Sequence, residues 1–79
     1  MADVRFSVGD IIRLMRSKQH LSARQLSAMA GLSPSYVGKL EAGECEPSLK
    51  AFARVANALR LRPTEVWYLV NLAAEEDAE

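Results

Sequence analysis

One cysteine and one histidine in 79 residues remove several classes of chemistry at once. Cys45 alone cannot build a disulfide framework or a multi-cysteine zinc site, and a reduced thiol is the expectation. His20 has no second histidine for a metal cluster and no nearby cysteine or acid to make a nucleophile–base pair. A Gly-rich phosphate loop is also missing. No enzyme, cofactor or metal is expected. Long apolar runs are lacking too, none approaching the roughly 20 residues that span a bilayer. The first ten residues, MADVRFSVGD, do not have the basic-then-apolar order of a signal peptide. These absences predict an intracellular, cytoplasmic chain with no membrane partner. An excess of charge of one sign is the last absence: ten Lys and Arg face ten Asp and Glu. That balance argues mildly against nucleic acid, whose binding domains are usually basic.

The distribution of charge says something different. Residues 1–40 carry six Lys and Arg against Asp3 and Asp10, a net +4; residues 41–79 carry four against eight, a net −4. A molecule polarised in this way steers a polyanion toward one face and repels it from the other. With 49% apolar and 25% charged residues the composition is that of a folded globular chain, and 79 residues make one domain with a limited core.

Helical periodicity runs through the sequence, and no strand pattern, repeat or linker interrupts it. Residues 1–6 are expected to be a short arm. Ser7 with Asp10 three positions on has capping-box spacing, and Val8, Ile11, Ile12 and Met15 follow at i, i+3, i+4, i+7. That helix is predicted to end near Gln19-His20, where histidine tolerates a positive φ better than most residues. Ala42 to Pro47 is loop by composition. Ser48 caps a fourth helix whose inward stripe is predicted as Leu49, Phe52, Val55, Ala56 and Leu59. Pro63 suits the first position of a fifth helix over 63–74, with Val66, Leu69, Val70 and Ala73 inward. Trp67, Tyr68 and Leu72 are left over there. Either Trp67 caps the core, or the three form a dimer interface. The acidic tail, 75–79, is unfavourable at a helix carboxyl end and is expected to fray.

The stretch from Leu21 to Glu41 organises the rest. Ser22 and Gln25 form a second capping box, followed by Leu26, Met29 and Ala30 as an apolar stripe. Gly31 is a natural left-handed stop, and Leu32 tucks back behind it. Ser33 then caps a new helix with Pro34 at its first position. Val37 and Leu40 point inward, leaving Ser35, Tyr36, Gly38 and Lys39 outward. Helix, Gly-containing turn, helix is a geometry that places its second helix, here 34–41, in the DNA major groove. Lys39 reaches a guanine edge or a phosphate, Ser35 bonds several bases, and Tyr36 and Arg24 suit phosphates.

Residues 8–70 resemble the phage-repressor-like (Xre or Cro type) helix-turn-helix domain. The resemblance is carried by Leu21-Ser22, Leu26, Ala30 to Ser33, Val37, Leu40 to Gly43, Pro47 to Leu49, Ala56, Leu59 and Leu61. It implies an all-α, five-helix, lambda-repressor-like bundle with the helix-turn-helix at helices 2 and 3, residues 22–41. It also implies a sequence-specific regulator of transcription, commonly a homodimer on a two-fold symmetric operator in double-stranded DNA. By position, base reading falls on Pro34, Ser35 and Lys39, and phosphate positioning on Ser22 and the amides beside it. Ser22, Arg24, Ser33, Pro34, Ser35, Tyr36 and Lys39 make up the expected DNA-binding set. Arg16 and Glu41 match a partly buried salt bridge tying the first helix to the recognition helix. Glu41 is then structural. The sequence also departs from the pattern. Ala23 stands where glutamine is frequent, Pro34 offers only apolar contact, and Glu44-Cys45-Glu46 makes an acidic loop where a basic one is common. His20 and Arg60 replace glycines that usually end helices.

A second reading survives beside DNA binding. The acidic loop and neutral charge suit a protein-interaction module, or the antitoxin of a toxin–antitoxin pair, that meets a protein partner through its C-terminal helix. A bundle of this size leaves little room for the several hundred Å³ of a ligand pocket.

Overall fold

The computed structural model describes residues 7–77, with side chains through Glu75. The expected arm, 1–6, and the last two residues of the expected tail lie outside the described residues. Five helices follow in order: α1 Val8–Lys18, α2 Ala23–Met29, α3 Tyr36–Glu41, α4 Leu49–Ala58 and α5 Pro63–Asp77. The described residues contain no strand. The all-α, five-helix arrangement is the observed one.

Serine starts three of the helices. Ser7 and Ser22 each accept the N–H of the residue three positions on, and Asp10 and Gln25 bond back to the cap amide, completing two capping boxes. Ser48 accepts the Ala51 N–H at the head of α4. α3 differs. It begins at Tyr36, two residues after the predicted Pro34, because Ser33 to Tyr36 forms a turn closed by Tyr36 N–H to Ser33 C=O. Ser33 is therefore not a side-chain cap, and the cap position of α3, Ser35, makes no side-chain bond either.

The four ends of α1 to α4 share one device. A left-handed residue follows each cap: His20, Gly31, Gly43 and Arg60, with φ of 58°, 70°, 76° and 57°. After each, two amides turn back onto the last turn: His20 and Leu21 onto Ser17 and Arg16, Gly31 and Leu32 onto Ala28 and Ser27. Gly43 and Glu44 bond Leu40 and Lys39, and Arg60 and Leu61 bond Asn57 and Ala56 in the same way. This is the Schellman pattern, and an apolar residue normally follows it. Leu21, Leu32 and Leu61 obey and pack on the core; Glu44 does not. His20 and Arg60 hold the left-handed conformation at a cost that glycine avoids.

The core gathers Val8 and Ile12 of α1, Leu26 and Ala30 at α2, Val37 and Leu40 of α3, Phe52, Val55, Ala56 and Leu59 at α4, and Leu69 of α5. α3 is held between α2 and α1, α4 backs α2, and α5 closes against α1. Three inward assignments and one outward assignment are corrected. Leu49 is 84% exposed, Met29 55% and Val70 40%, while Leu72, expected on the surface, turns partly inward. Leu49 is the first residue of its helix, which projects it beyond the core; Ala51 is buried instead. Trp67, 69% exposed, does not cap the core. The fifth helix also outruns its predicted end. Ala and Glu favour helix strongly enough that Glu75 to Asp77 continue it.

Candidate nucleic-acid interface

α3 has six residues, fewer than two turns, and a helix so short does not hold itself. Its position comes from what grips it. Inside, Val37 and Leu40 are buried. At its carboxyl end Glu41 takes a two-pronged salt bridge from Arg16: Nε to Oε2 at 2.7 Å and Nη2 to Oε1 at 2.8 Å. Arg16 spends its remaining nitrogen on the Leu21 carbonyl at 2.8 Å, so one guanidinium joins α1, the start of the turn into α2, and α3. Both side chains are largely covered, 15% and 8% exposed. The hydrogen bonds to Glu41 raise the Arg16 pKa further, against the lowering by burial. The pair resembles a brace: planar, bidentate and fixed in direction.

α1 comes closer still at Gly9, which is buried. A Cβ placed there would lie 2.8 Å from the Leu40 carbonyl oxygen and 2.9 Å from the Cα and carbonyl oxygen of Glu41. Glycine at this position lets the first turn of α1 touch the last turn of α3. At the amino end of α3, Ser27 supplies the grip. Its hydroxyl is fully buried, accepts the Val37 N–H at 3.1 Å and donates to the Ala23 carbonyl at 2.9 Å. Gly9 and Ser27 are absent from the expected site. Serine at 27 carries one sequence signal, since it shares the inward face with Ala23, Leu26 and Ala30 at helical spacing.

Ser22, Arg24, Ser33, Pro34, Ser35 and Lys39 are all exposed, as is Gly38 on the outer side of α3. Lys39 and Arg24 make no side-chain bond among the described residues. The Ser22 oxygen accepts within its capping box, which leaves its O–H and the amides at the start of α2 as the groups open to an anion. Tyr36 departs from expectation. It is half-buried against the core, and its hydroxyl is covered without a hydrogen-bond partner. Cys45, half-buried, and the Ser48 amide both act on its titration. The phosphate contact expected of that hydroxyl does not fit its inward placement; the ring packs against the apolar core. Glu44 and Glu46 are exposed on either side of Cys45.

The placement of Tyr36 gives a direct prediction. Burial, and next the neighbouring Cys45, push its pKa above the usual value, opposed by the Ser48 amide. With the phenol held neutral in the fold, stability does not depend on this group below tyrosine's ordinary value of about 10 and is lost as pH rises beyond it. Tyr36→Phe should flatten this alkaline loss in urea titrations. At neutral pH it should be neutral or stabilising by up to about 1 kcal/mol, because an unpartnered hydroxyl leaves the interior.

A helix-turn-helix family model matches residues 12–66, from the middle of α1 into α5. The chain belongs to the phage-repressor-like helix-turn-helix family. Among its relatives, an HTH-type transcriptional regulator of Mycobacterium tuberculosis is 38% identical over 61 residues, across 77% of this chain and 43% of that one. The immunity repressor protein of Bacillus phage phi105 is 34% identical over 73 residues, across 92% of this chain and 51% of the repressor. The chain thus spans about half the length of these two helix-turn-helix relatives. Two solved helix-turn-helix structures cover it more evenly. The restriction-modification controller protein C.AhdI of Aeromonas hydrophila superposes with a TM-score of 0.70 at 36% identity, over 75% of this chain and 89% of that one. The clp gene regulator ClgR of C. glutamicum gives 0.69 at 30% identity, over 90% and 88%. By name these relatives are regulators, a repressor and a controller protein. No described helix is long and apolar enough to cross a membrane.

Proposed function

We propose that this helix-turn-helix protein acts as one DNA-binding unit, reading a specific duplex with α3 in the major groove and regulating transcription there. The supporting observation is the way α3 is held: braced at both ends from inside, with Ser35, Gly38 and Lys39 exposed outward. A scaffold that fixes a short helix while leaving its outer side chains unpaired suits groove reading. Pro34 and Ser35 open the reading surface and Lys39 extends it. Arg24, Ser22, Ser33 and the first amides of α2 hold phosphates. Tyr36 is left out of the contact set. Arg16 is consumed by Glu41, so the positive potential rests on the remaining cations of the amino half, and Glu44 and Glu46 limit non-specific binding.

The partner copy meets α5. Trp67 and Val70 are three residues apart on one exposed side of that helix, with Tyr68 beside them 54% exposed. Exposed aromatic surface of this kind marks a contact between proteins. A homodimer through α5 doubles the reading helix and calls for a two-fold symmetric operator. The same surface serves the second reading, in which α5 meets a different protein. Trp67→Glu separates the two by sedimentation. A homodimer should shift to monomer, whereas a native protein that is already monomeric at high concentration removes the dimer. The test of the function itself is enrichment of a random duplex pool on the purified protein. A two-fold symmetric sequence should be recovered; recovery of no sequence assigns the fold to protein recognition.

A further inference from the structure

We infer that Ser27 is a positioning residue for the reading helix: its hydroxyl, more than the packing around it, sets the pose of α3 against α2. The inference rests on the DNA-binding reading above and concerns how its specificity is kept. Ser27 is the one buried polar side chain among the described residues, and its exposure is zero. Both of its hydrogen-bonding directions are used. The proton goes to the Ala23 carbonyl one turn back, which fixes the hydroxyl rotor, and a lone pair then receives the Val37 N–H at 3.1 Å. Val37 is the second residue of α3, where an amide has no acceptor within its own helix. The cap residue of α3, Ser35, makes no side-chain bond. Ser27 therefore does from α2 what an N-cap does within a helix.

Direction decides the role. Burial of Val37 and Leu40 holds α3 against the core, but apolar burial is non-directional and tolerates rotation of the helix about its axis. A hydrogen bond weakens steeply with misalignment. The carboxyl end of α3 is fixed by Glu41 and by the approach of Gly9. The amino end, which carries Pro34 and Ser35, has Ser27 as its polar tie. Without the hydroxyl α3 stays docked, but its amino end takes more than one orientation. Contacts to base edges depend on that orientation, while contacts to phosphates tolerate its loss.

The test uses Ser27→Ala in the full chain, well below its thermal midpoint. Hydrogen exchange of the Val37 amide should accelerate at least tenfold relative to that of Leu40, and amide dipolar couplings of α3 should no longer fit the wild-type orientation to α2. Affinity for the enriched duplex should fall at least tenfold while affinity for a scrambled duplex stays within about twofold. A purely structural role would lower both affinities together. Unchanged exchange and couplings overturn the inference, whatever the protein does with DNA. Changed exchange and couplings with an unchanged duplex preference overturn its link to specificity. A wild-type protein that prefers no duplex defeats the DNA reading instead, and the exchange and couplings still decide whether Ser27 sets the pose. If the alanine variant does not fold, Ser27→Cys keeps the volume with a weak acceptor. It should move both measurements in the same direction; wild-type values in that variant also overturn the inference.

Discussion

Glu41→Ala is expected to lower the unfolding free energy by about 3 kcal/mol, a large share of what a domain of this size holds. The cost arises on the partner it leaves. Arg16 keeps its bond to Leu21 but loses two charge-assisted bonds in a largely covered site. An exposed ion pair would contribute no more than about 1 kcal/mol. Losing one partner of a buried pair costs about 3–5 kcal/mol, and the position of this pair just beneath the surface selects the lower end. Urea denaturation measures it. Arg16→Met combined with Glu41→Leu should recover much of the loss, since two apolar side chains leave no buried charge unpaired. A single-mutant cost under about 1 kcal/mol would class the pair as an ordinary surface contact.

Gly9→Ala is expected to destabilise by about 2 kcal/mol although alanine is the better helix former. Helix propensity favours the change by up to about 1 kcal/mol, and less in a first turn. Against it, the new methyl group meets three backbone atoms of α3 at 2.8–2.9 Å, so the obstacle is main chain that cannot rotate away. Overpacking of this kind typically costs about 1–3 kcal/mol. Moving α3 away from α1 also strains the Arg16–Glu41 brace, so affinity for the operator should fall with stability. Gly38→Ala is the control. Nothing lies within 4 Å of a Cβ there, and it should stabilise by about 0.5–1 kcal/mol. A Gly9→Ala protein as stable as the wild type would show that α1 and α3 are not in tight register.

Much of the fold could be read in advance because its signals are local. Ser7, Ser22 and Ser48 each announce a helix, Gly31 ends one, the loop composition of Ala42 to Pro47 ends another, and the long stripes of α1 and α4 identify most of the core. The errors fall where local signals are weak. A helix of six or seven residues offers too few positions for periodicity to choose a face, so the pattern points Met29 inward and Tyr36 outward, each contrary to its place. Leu49 fits the stripe of α4 in phase but sits one turn too early to meet the core. Serine reads as a cap and glycine as a turn, and that habit hides Ser27 and Gly9, whose roles arise from contacts with a different helix. Arg16 and Glu41 are 25 residues apart in sequence, and family resemblance, not spacing, pairs them. Exposure of Trp67 follows from an apolar surplus on α5 that one buried stripe cannot absorb.

The central claim is that α3 reads DNA from a braced position, and fluorescence anisotropy against salt tests it most directly. The enriched duplex and a scrambled duplex of the same length are titrated from about 50 to 200 mM salt. Binding to the enriched duplex should be at least about a thousandfold tighter, the lower range for specific recognition. Its affinity should fall with a log–log slope of about −4 or steeper, since each phosphate contact contributes roughly −0.9. Equal, salt-insensitive affinities for the two duplexes would contradict the account and assign the surface of α3 to a protein partner.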